Sequence, residues 1–548
     1  MFSSTIADTI GNNESEIDGG ERKKMMRKWV VANAIVWVAA ALLCCAAPRA
    51  AAQGDQQSSK TPYTLPEYNA FQSAAGQTDP QAKIQALDDF VNKFPNSALM
   101  PLVYQQYYGA YNQTKNYPKL IEYSDKFLAV PDDKYLLIPG MTKEQLTSGR
   151  FQALYFRAVA FSQSFNDKDP NAQQELSDAR KYALQGLQVL NDIQKPANMT
   201  DEQFAQQKKP AEILFNYTAG LASYDAKDYK NAIDSYNAYI AATGNATDQN
   251  VAAVYFRIGV AYLQLAAQQQ PQTTPPANSQ PPATTNPPAT NPPGTSTTTP
   301  PPATGAAAPN QALIDLYMNG FWNLARSIAL KGPGEAQMQS YLHAQMFNYE
   351  QPACGNLLDD QMKELISLAG TQATKPATYS IPSAADLGQV LQGSNLLSIL
   401  TDLQGGGDKA KMTWLAVCGQ EIPNVVGKII DTTPGTDSID FKVFTAATGE
   451  EIQAGNTANL DVTVYTAAPP AGSTNTAAGG NTQAQQAPPP VQPEASRLQK
   501  NDAIQFTGTI TKYDAQPFLL YFDKCQVDPK AIPPEKGQAR KPHRPGVR

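Results

Sequence analysis

Catalysis and metal binding rest mostly on histidine, cysteine and paired carboxylates, and in this chain those residues are few and scattered. The two histidines, His343 and His543, lie far apart among 548 residues. That separation argues against a His-rich metal site or a His-based catalytic centre. Asp359 and Asp360 are adjacent, but neighbouring carboxylates in a helical pattern read as a solvated face rather than an acid/base pair. No G-x-x-x-x-G-K-S/T phosphate loop, H-E-x-x-H, C-x-x-C or G-x-S-x-G turn occurs. An enzyme could still hide among Asp and Glu clusters, as in glycoside cleavage, but nothing singles out a pair. The expectation is a protein that is not an enzyme, with no cofactor and no metal. Behind the apolar N-terminal run stand Cys354, Cys418 and Cys525. In an oxidising compartment Cys418 and Cys525 could pair; three separate buried thiols are the alternative.

The elements that would position such residues begin with an address. Arg22, Lys23, Lys24, Arg27 and Lys28 precede WVVANAIVWVAAALLCCAA, and small residues surround Ala50 and Ala52. This order reads as a secretory signal cut near Gln53, with an uncleaved membrane anchor as the alternative. Lipid attachment at Cys44 or Cys45 is a further alternative, although Leu43 and Cys44 precede them rather than the small residue that bacterial lipoprotein signals prefer. Asp8, Glu14, Glu16 and Asp18 are out of place before a signal, so a start at Met25 or Met26 is expected. The bulk of the chain is therefore expected outside the cytoplasm, in a bacterial periplasm or cell envelope. With 17% charged residues, 43 Pro and 35 Gly, part of the chain must be linker. A formal charge of −6 and a pI near 5.2 argue against a general nucleic-acid binder.

Helical periodicity dominates the first two thirds. Tyr255, Ile258, Gly259, Tyr262, Leu263 and Ala266 share one helical face. The same spacing opens at Tyr104, Tyr107, Tyr108 and Tyr111, with a turn at Asn116-Tyr117 and a return from Leu120. A second unit starts at Leu154, Ala158 and Phe161 and returns through Ala179–Leu190. A third has Gly220, a turn at Asp228-Tyr229, and Ala232 with Tyr236. The mate of Tyr255–Ala266 is missing, because proline-rich sequence follows. Beyond that tract, Leu313, Leu316, Tyr317, Gly320, Phe321, Leu324 and Ile328 again form one face, stopped by Gly332 and Pro333. Residues 310–331 are therefore expected to fold back on Tyr255–Ala266 with the tract looped out. Lengthening such a loop from about 4 to about 43 residues costs roughly 2 kcal/mol. Burying two or three large apolar side chains returns about 1.5–3 kcal/mol each, so the hairpin is favoured.

Tyr255-x2-Ile258-Gly259-x2-Tyr262 resembles the opening helix of a tetratricopeptide repeat (TPR), whose pattern is W-x2-L-G-x2-Y. The resemblance covers residues 79–333 and is strongest over 208–265. It implies stacked helical hairpins that bind peptides or partner proteins, and exported bacterial proteins of this kind often serve envelope assembly. Tyr107, Tyr108, Tyr224 and Tyr255 are the binding positions to test, with core packing as the competing reading.

After Gly334 the pattern stays helical but loses the repeat, as expected of helices covering the end of a stack, and Ser383 reads as an N-cap. Near the C-terminus the period becomes two. Val425–Asp431, DFKVF, LDVTVY, DAIQFTGTITKYD and FLLYF read as five strands of a small barrel or sandwich, with a bulge or bend at Gly508. Their order loosely resembles the OB-fold class. Phe441, Phe444, Phe506, Tyr513, Phe518, Tyr521 and Phe522 could form a stacking platform for sugars or bases, although most read as core. The basic end KGQARKPHRPGVR reads as a disordered tail from its proline and glycine, with contact to anionic lipid or polymer as the alternative.

The expected organisation is a signal or anchor over 1–52, a linker over 53–78 and TPR-like repeats over 79–266. A proline/threonine-rich insert (267–309), a last repeat helix with capping helices (310–404) and a small β-domain (405–529) follow. That domain carries its own insert at 467–493, and a basic tail ends the chain (530–548). The fold class is α + β multidomain, an α-helical TPR-like solenoid followed by a small OB-like β-barrel or sandwich. The expected function is a non-enzymatic exported scaffold for a protein or peptide partner, with membrane association through the N-terminal segment and no nucleic acid. The alternative is a ligand-binding module whose β-domain takes a glycan or other polymer; a third is a β-domain that only caps the repeats.

Overall fold

Short polar caps mark where several of the helices begin. The computed structural model describes residues 61–244, 249–269, 311–332, 334–352, 354–468 and 489–535. The expected signal or anchor, the proline-rich tract, most of the second insert and the basic tail with His543 lie outside the described residues. The chain divides into two units, one comprising the residues up to Met338 with Ala369–Lys375, the other Gln339–Leu368 with the residues from Pro376 onward.

The first unit is helical. Its elements are α1 (Leu65–Ala75), α2 (Pro80–Lys93), α3 (Met100–Thr114), α4 (Tyr117–Leu128), α5 (Asp132–Leu136), α6 (Lys143–Ser164), α7 (Ala172–Asp192), α8 (Asp201–Asp225), α9 (Tyr229–Thr243), α10 (Gln249–Gln269) and α11 (Gln311–Ala329). Thr64, Thr142 and Thr200 close capping boxes with Glu67, Gln145 and Gln203. Asn116 and Asp228, at the two turns read from the sequence, cap α4 and α9 through their side chains. Consecutive helices pack in pairs, α3 on α4, α6 on α7, α8 on α9 and α10 on α11, and neighbouring pairs pack on each other. One apolar core runs from Phe71 to Ala160 and a second from Phe151 to Ala261.

The α10–α11 pair is the hairpin that the proline-rich tract interrupts in sequence. Ser327 Oγ donates to Ala252 O at 2.6 Å, and Gly259 faces Gly320 and Leu324 further along, so the helices run antiparallel. A Cβ on Gly259 would lie 2.8 Å from Leu324 Cγ, 2.9 Å from Leu324 N and 3.0 Å from Gly320 O. Backbone is in the way, so the helices would have to separate. Gly259→Ala is expected to lose about 1–3 kcal/mol despite alanine's better helix propensity. Gly109→Ala, where nothing stands within 4 Å, should instead gain about 0.5–1 kcal/mol. Thermal melts of the two variants moving in the same direction would refute this packing. α10 is also the one described helix long and apolar enough to cross a membrane, and here its apolar residues are core.

The second unit joins helices to a barrel. α12 (Glu335–Glu350) and α13 (Gly355–Thr371) each have residues in both units, and α14 (Ala384–Gly393), α15 (Leu396–Gly405) and α16 (Gly407–Val417) follow. Ser383 caps α14 in a capping box with Asp386. Leu387, Ile399, Leu400 and Leu403 share one apolar core with the strands. The strands are β1 (Glu421–Pro434), β2 (Ser438–Phe444), β3 (Leu460–Tyr465), β4 (Ala503–Ala515) and β5 (Phe518–Val527), with α17 (Gly449–Ala454) between β2 and β3. They close into a barrel in the order β1-β2-β3-β5-β4. β3 and β5 run parallel and every other pair antiparallel. Period-two alternation points Phe441, Val443, Leu460, Val462, Val464, Phe506 and Phe522 inward. The register between β4 and β5 shifts at Gly508, where a Cβ would meet Cys525 Sγ at 2.5 Å.

The cysteine pairing differs from the expected one. Cys354 bonds Cys418, and Cys525 is a free, buried thiol. Lys524 adopts φ +53°, which slips the alternation of β5 so that both Phe522 and Cys525 point into the barrel. Cys525 therefore packs against Gly508 inside the barrel, while Cys418 follows the last turn of α16.

Candidate functional site

Three of the four tyrosines singled out for binding are core residues. Tyr107 is 1% exposed; its hydroxyl donates to Asp88 Oδ1 at 2.5 Å, and its ring stacks on Tyr123 at 4.1 Å. Burial first, then Asp88, pushes its pKa well above the ordinary tyrosine value. Tyr108 is equally buried, donates to Gly149 O at 3.3 Å, and presents its ring to Phe127 and Phe156. Tyr255 is buried with its ring 5.8 Å from the Arg326 guanidinium. Each helix is covered on two sides by its mate and by the next pair, so these rings have no surface to offer a partner. Tyr224 alone stays half-buried, edge-on to Tyr229. The four lie on α3, α8 and α10 and do not form one site.

A cluster that the periodicity does not reveal sits among α4, α6 and α7. Arg157 is 1% exposed, and it donates to Asp125 Oδ1 at 2.9 Å and to Glu175 Oε2 at 3.0 Å. Its guanidinium carbon lies 4.8 Å from the Tyr182 ring centre. Burial pushes both carboxyls up, against the pull of the Arg157 charge. The arrangement is an internal ion network that ties three helices together.

Asp359 and Asp360 are exposed on α13 and pair with His343 and Lys363, as a solvated helix face does. In the barrel, Phe441, Phe506 and Phe522 are core, while Tyr521 points outward and is partly exposed.

Around Tyr521 the strand register builds a row across the outer wall. Lys442 on β2 pairs with Asp461 on β3, Asp461 with Tyr521 on β5, and Tyr521 with Lys512 on β4. Lys442 Nζ donates to Asp461 Oδ2. The two ammoniums lie 5.7 Å (Lys442) and 4.7 Å (Lys512) from the Tyr521 ring centre, within cation–π range. The Tyr521 hydroxyl donates to Asp514 Oδ2 at 2.6 Å, and Lys512 pairs with Asp514 Oδ1 at 2.9 Å. Those contacts hold the Asp514 carboxyl below the usual carboxylate range, and Asp514 pushes the Tyr521 phenol up to about 12. Next along the wall, Thr463 donates to Asp440 at 2.7 Å, and burial with Asp523 pushes Tyr465 up to about 12. Chemically the row offers a ring face, mobile donors and fixed acceptors.

No known protein-family model, curated protein or solved structure matches the chain.

Proposed function

We propose that this chain is a non-catalytic exported scaffold whose helical unit, a TPR-like solenoid, binds a protein or peptide partner in the cell envelope. The observation that carries the reading is the sequence of four packed hairpins from α3 to α11, kept even where a long tract separates α10 from α11. Repeated hairpins bury their stripes against each other and leave extended rows of polar side chains for recognition. The barrel order β1-β2-β3-β5-β4 agrees with an OB-like, five-stranded Greek-key barrel. A disulfide between Cys354 and Cys418 suits an oxidising compartment. The buried cation of the helical unit, Arg157, is engaged in structural pairs with Asp125 and Glu175.

Site-specific photo-crosslinking in the native cells, at Gln113, Tyr224 and Gln264, tests the reading. These positions are at least partly exposed on α3, α8 and α10. The expected result is one recurrent protein adduct from at least two of the positions. Adducts that differ at every position, or none at all, would reject the scaffold.

A further inference from the structure

We infer that the outer wall of the barrel, centred on Tyr521, is a binding site for a neutral polyhydroxylated ligand such as an oligosaccharide. The inference does not depend on what the helical unit binds. Three observations carry it. The first is the register. Lys442, Asp461, Tyr521 and Lys512 come from four strands, yet stand side by side in one row. Apolar residues fill the inward positions between them, so nothing in the core requires this outer row.

The second is an orphaned acceptor. Asp461 is only 8% exposed although it stands on the outer wall. Its Oδ2 accepts from Lys442, but its Oδ1 is buried and receives no hydrogen bond. A buried carboxylate oxygen without a donor costs free energy, and a hydroxyl donor from a ligand would supply one.

The third is charge. Lys442 and Lys512 are balanced by Asp461 and Asp514, and Asp440 and Asp523 flank Thr463 and Tyr465. The wall therefore has no surplus positive charge to attract phosphate or sulfate, and polyanions are disfavoured. What remains is an aromatic face with alternating donors and acceptors, the complement of a sugar ring with its apolar C–H face and its hydroxyls. The Lys512 side chain is 61% exposed, and its long stem can swing off the Tyr521 ring to admit such a face.

The test is isothermal titration of the full chain with cellohexaose, chitohexaose and laminarihexaose, using hexameric polyphosphate and oligo-dT as anionic controls. At least one hexaose should bind with a sub-millimolar dissociation constant. Tyr521→Ala should weaken that binding about tenfold or more, as for loss of a stacking ring. Lys512→Ala, at an exposed position, should weaken it by a smaller factor, and Tyr521→Phe should retain most of it. Those two variants keep the test meaningful if Tyr521→Ala unfolds the barrel. No binding of any hexaose at millimolar concentration, binding unchanged in both Tyr521→Ala and Lys512→Ala, or tighter binding of either anion would overturn the inference. The photo-crosslinks on the helical unit can succeed or fail independently of this outcome.

Discussion

Arg157→Ala is expected to lower the stability of the helical unit by about 3–5 kcal/mol, the scale for breaking a buried ion pair by removing one partner. Arg157 is 1% exposed and bridges Asp125 of α4 and Glu175 of α7 from its place on α6. Alanine would leave a cavity where the long side chain packs against Tyr182, and two half-buried carboxylates with no cation between them. Those carboxyls are already pushed up by burial, with Asp178 raising both and Asp125 raising Glu175; without Arg157 their folded pKa values rise further. A raised carboxyl pKa favours the protonated folded state, so the deficit should be smallest at acid pH and grow as pH climbs through the carboxylate range. Arg157→Lys, which keeps the charge but not the two-armed geometry, should fall between. Urea titrations at pH 4.5 and pH 8 read both effects. A deficit under about 1 kcal/mol at both values would mean that the network contributes no more than a surface pair does.

Glu350→Gln is expected to act in the opposite direction, stabilising the second unit at neutral pH and above. Glu350 is fully buried at the last residue of α12, where the helix dipole disfavours a negative charge. With the Gln361 amide nitrogen turned toward it, that amide donates to both carboxylate oxygens at 2.8 and 3.1 Å. Burial outweighs that hydrogen bond and pushes the Glu350 carboxyl up from 4.5 to about 8. Below pH 4.5 folded and unfolded chains both hold the proton, and there is no penalty. Between 4.5 and 8 the unfolded chain releases it while the folded chain keeps it, so stability falls as pH rises. The loss reaches about 3 kcal/mol at pH 7 and about 5 kcal/mol above pH 8. Glutamine cannot titrate, so the variant should match the parent near pH 4 and exceed it by several kcal/mol at pH 8.5. Parallel pH–stability curves for the two proteins would sink this account of Glu350.

Much of the fold could be read from the sequence because it follows from period and punctuation. LDVTVY is β3 residue for residue, Asn116 and Asp228 cap the helices they were read as starting, and the Leu313–Ile328 face meets the Tyr255–Ala266 face. The site was far less legible. A helical stripe places Tyr107 and Tyr108 on one face of α3 and Tyr255 on one face of α10, but does not say that a neighbouring pair covers those faces. The cysteine pairing turned on a single left-handed residue, Lys524, which moved Cys525 inside the barrel. The Lys442–Asp461–Tyr521–Lys512 row depends on the register of β3 with β5, strands far apart in the chain, and on a bulge between Ile510 and Lys512 in the β4–β5 hairpin. Alternation points Lys442, Asp461 and Tyr521 outward but would turn Lys512 inward with Ile510; the bulge brings Lys512 out, and the parallel β3–β5 pairing joins the two halves of the row.

The reading of the chain as an exported binding protein depends on its folded units working outside the reducing interior of the cell. Blocking thiols in intact cells before lysis, then mapping the cysteine peptides of the purified protein without reduction, tests this most directly. The account predicts a Cys354–Cys418 cross-linked peptide, with Cys525 blocked only after denaturation. That bond closes a long loop, with a sequence separation of 64 residues, and should contribute about 4 kcal/mol. Recovery of Cys354 and Cys418 as blocked free thiols, or of a Cys418–Cys525 peptide, would contradict it.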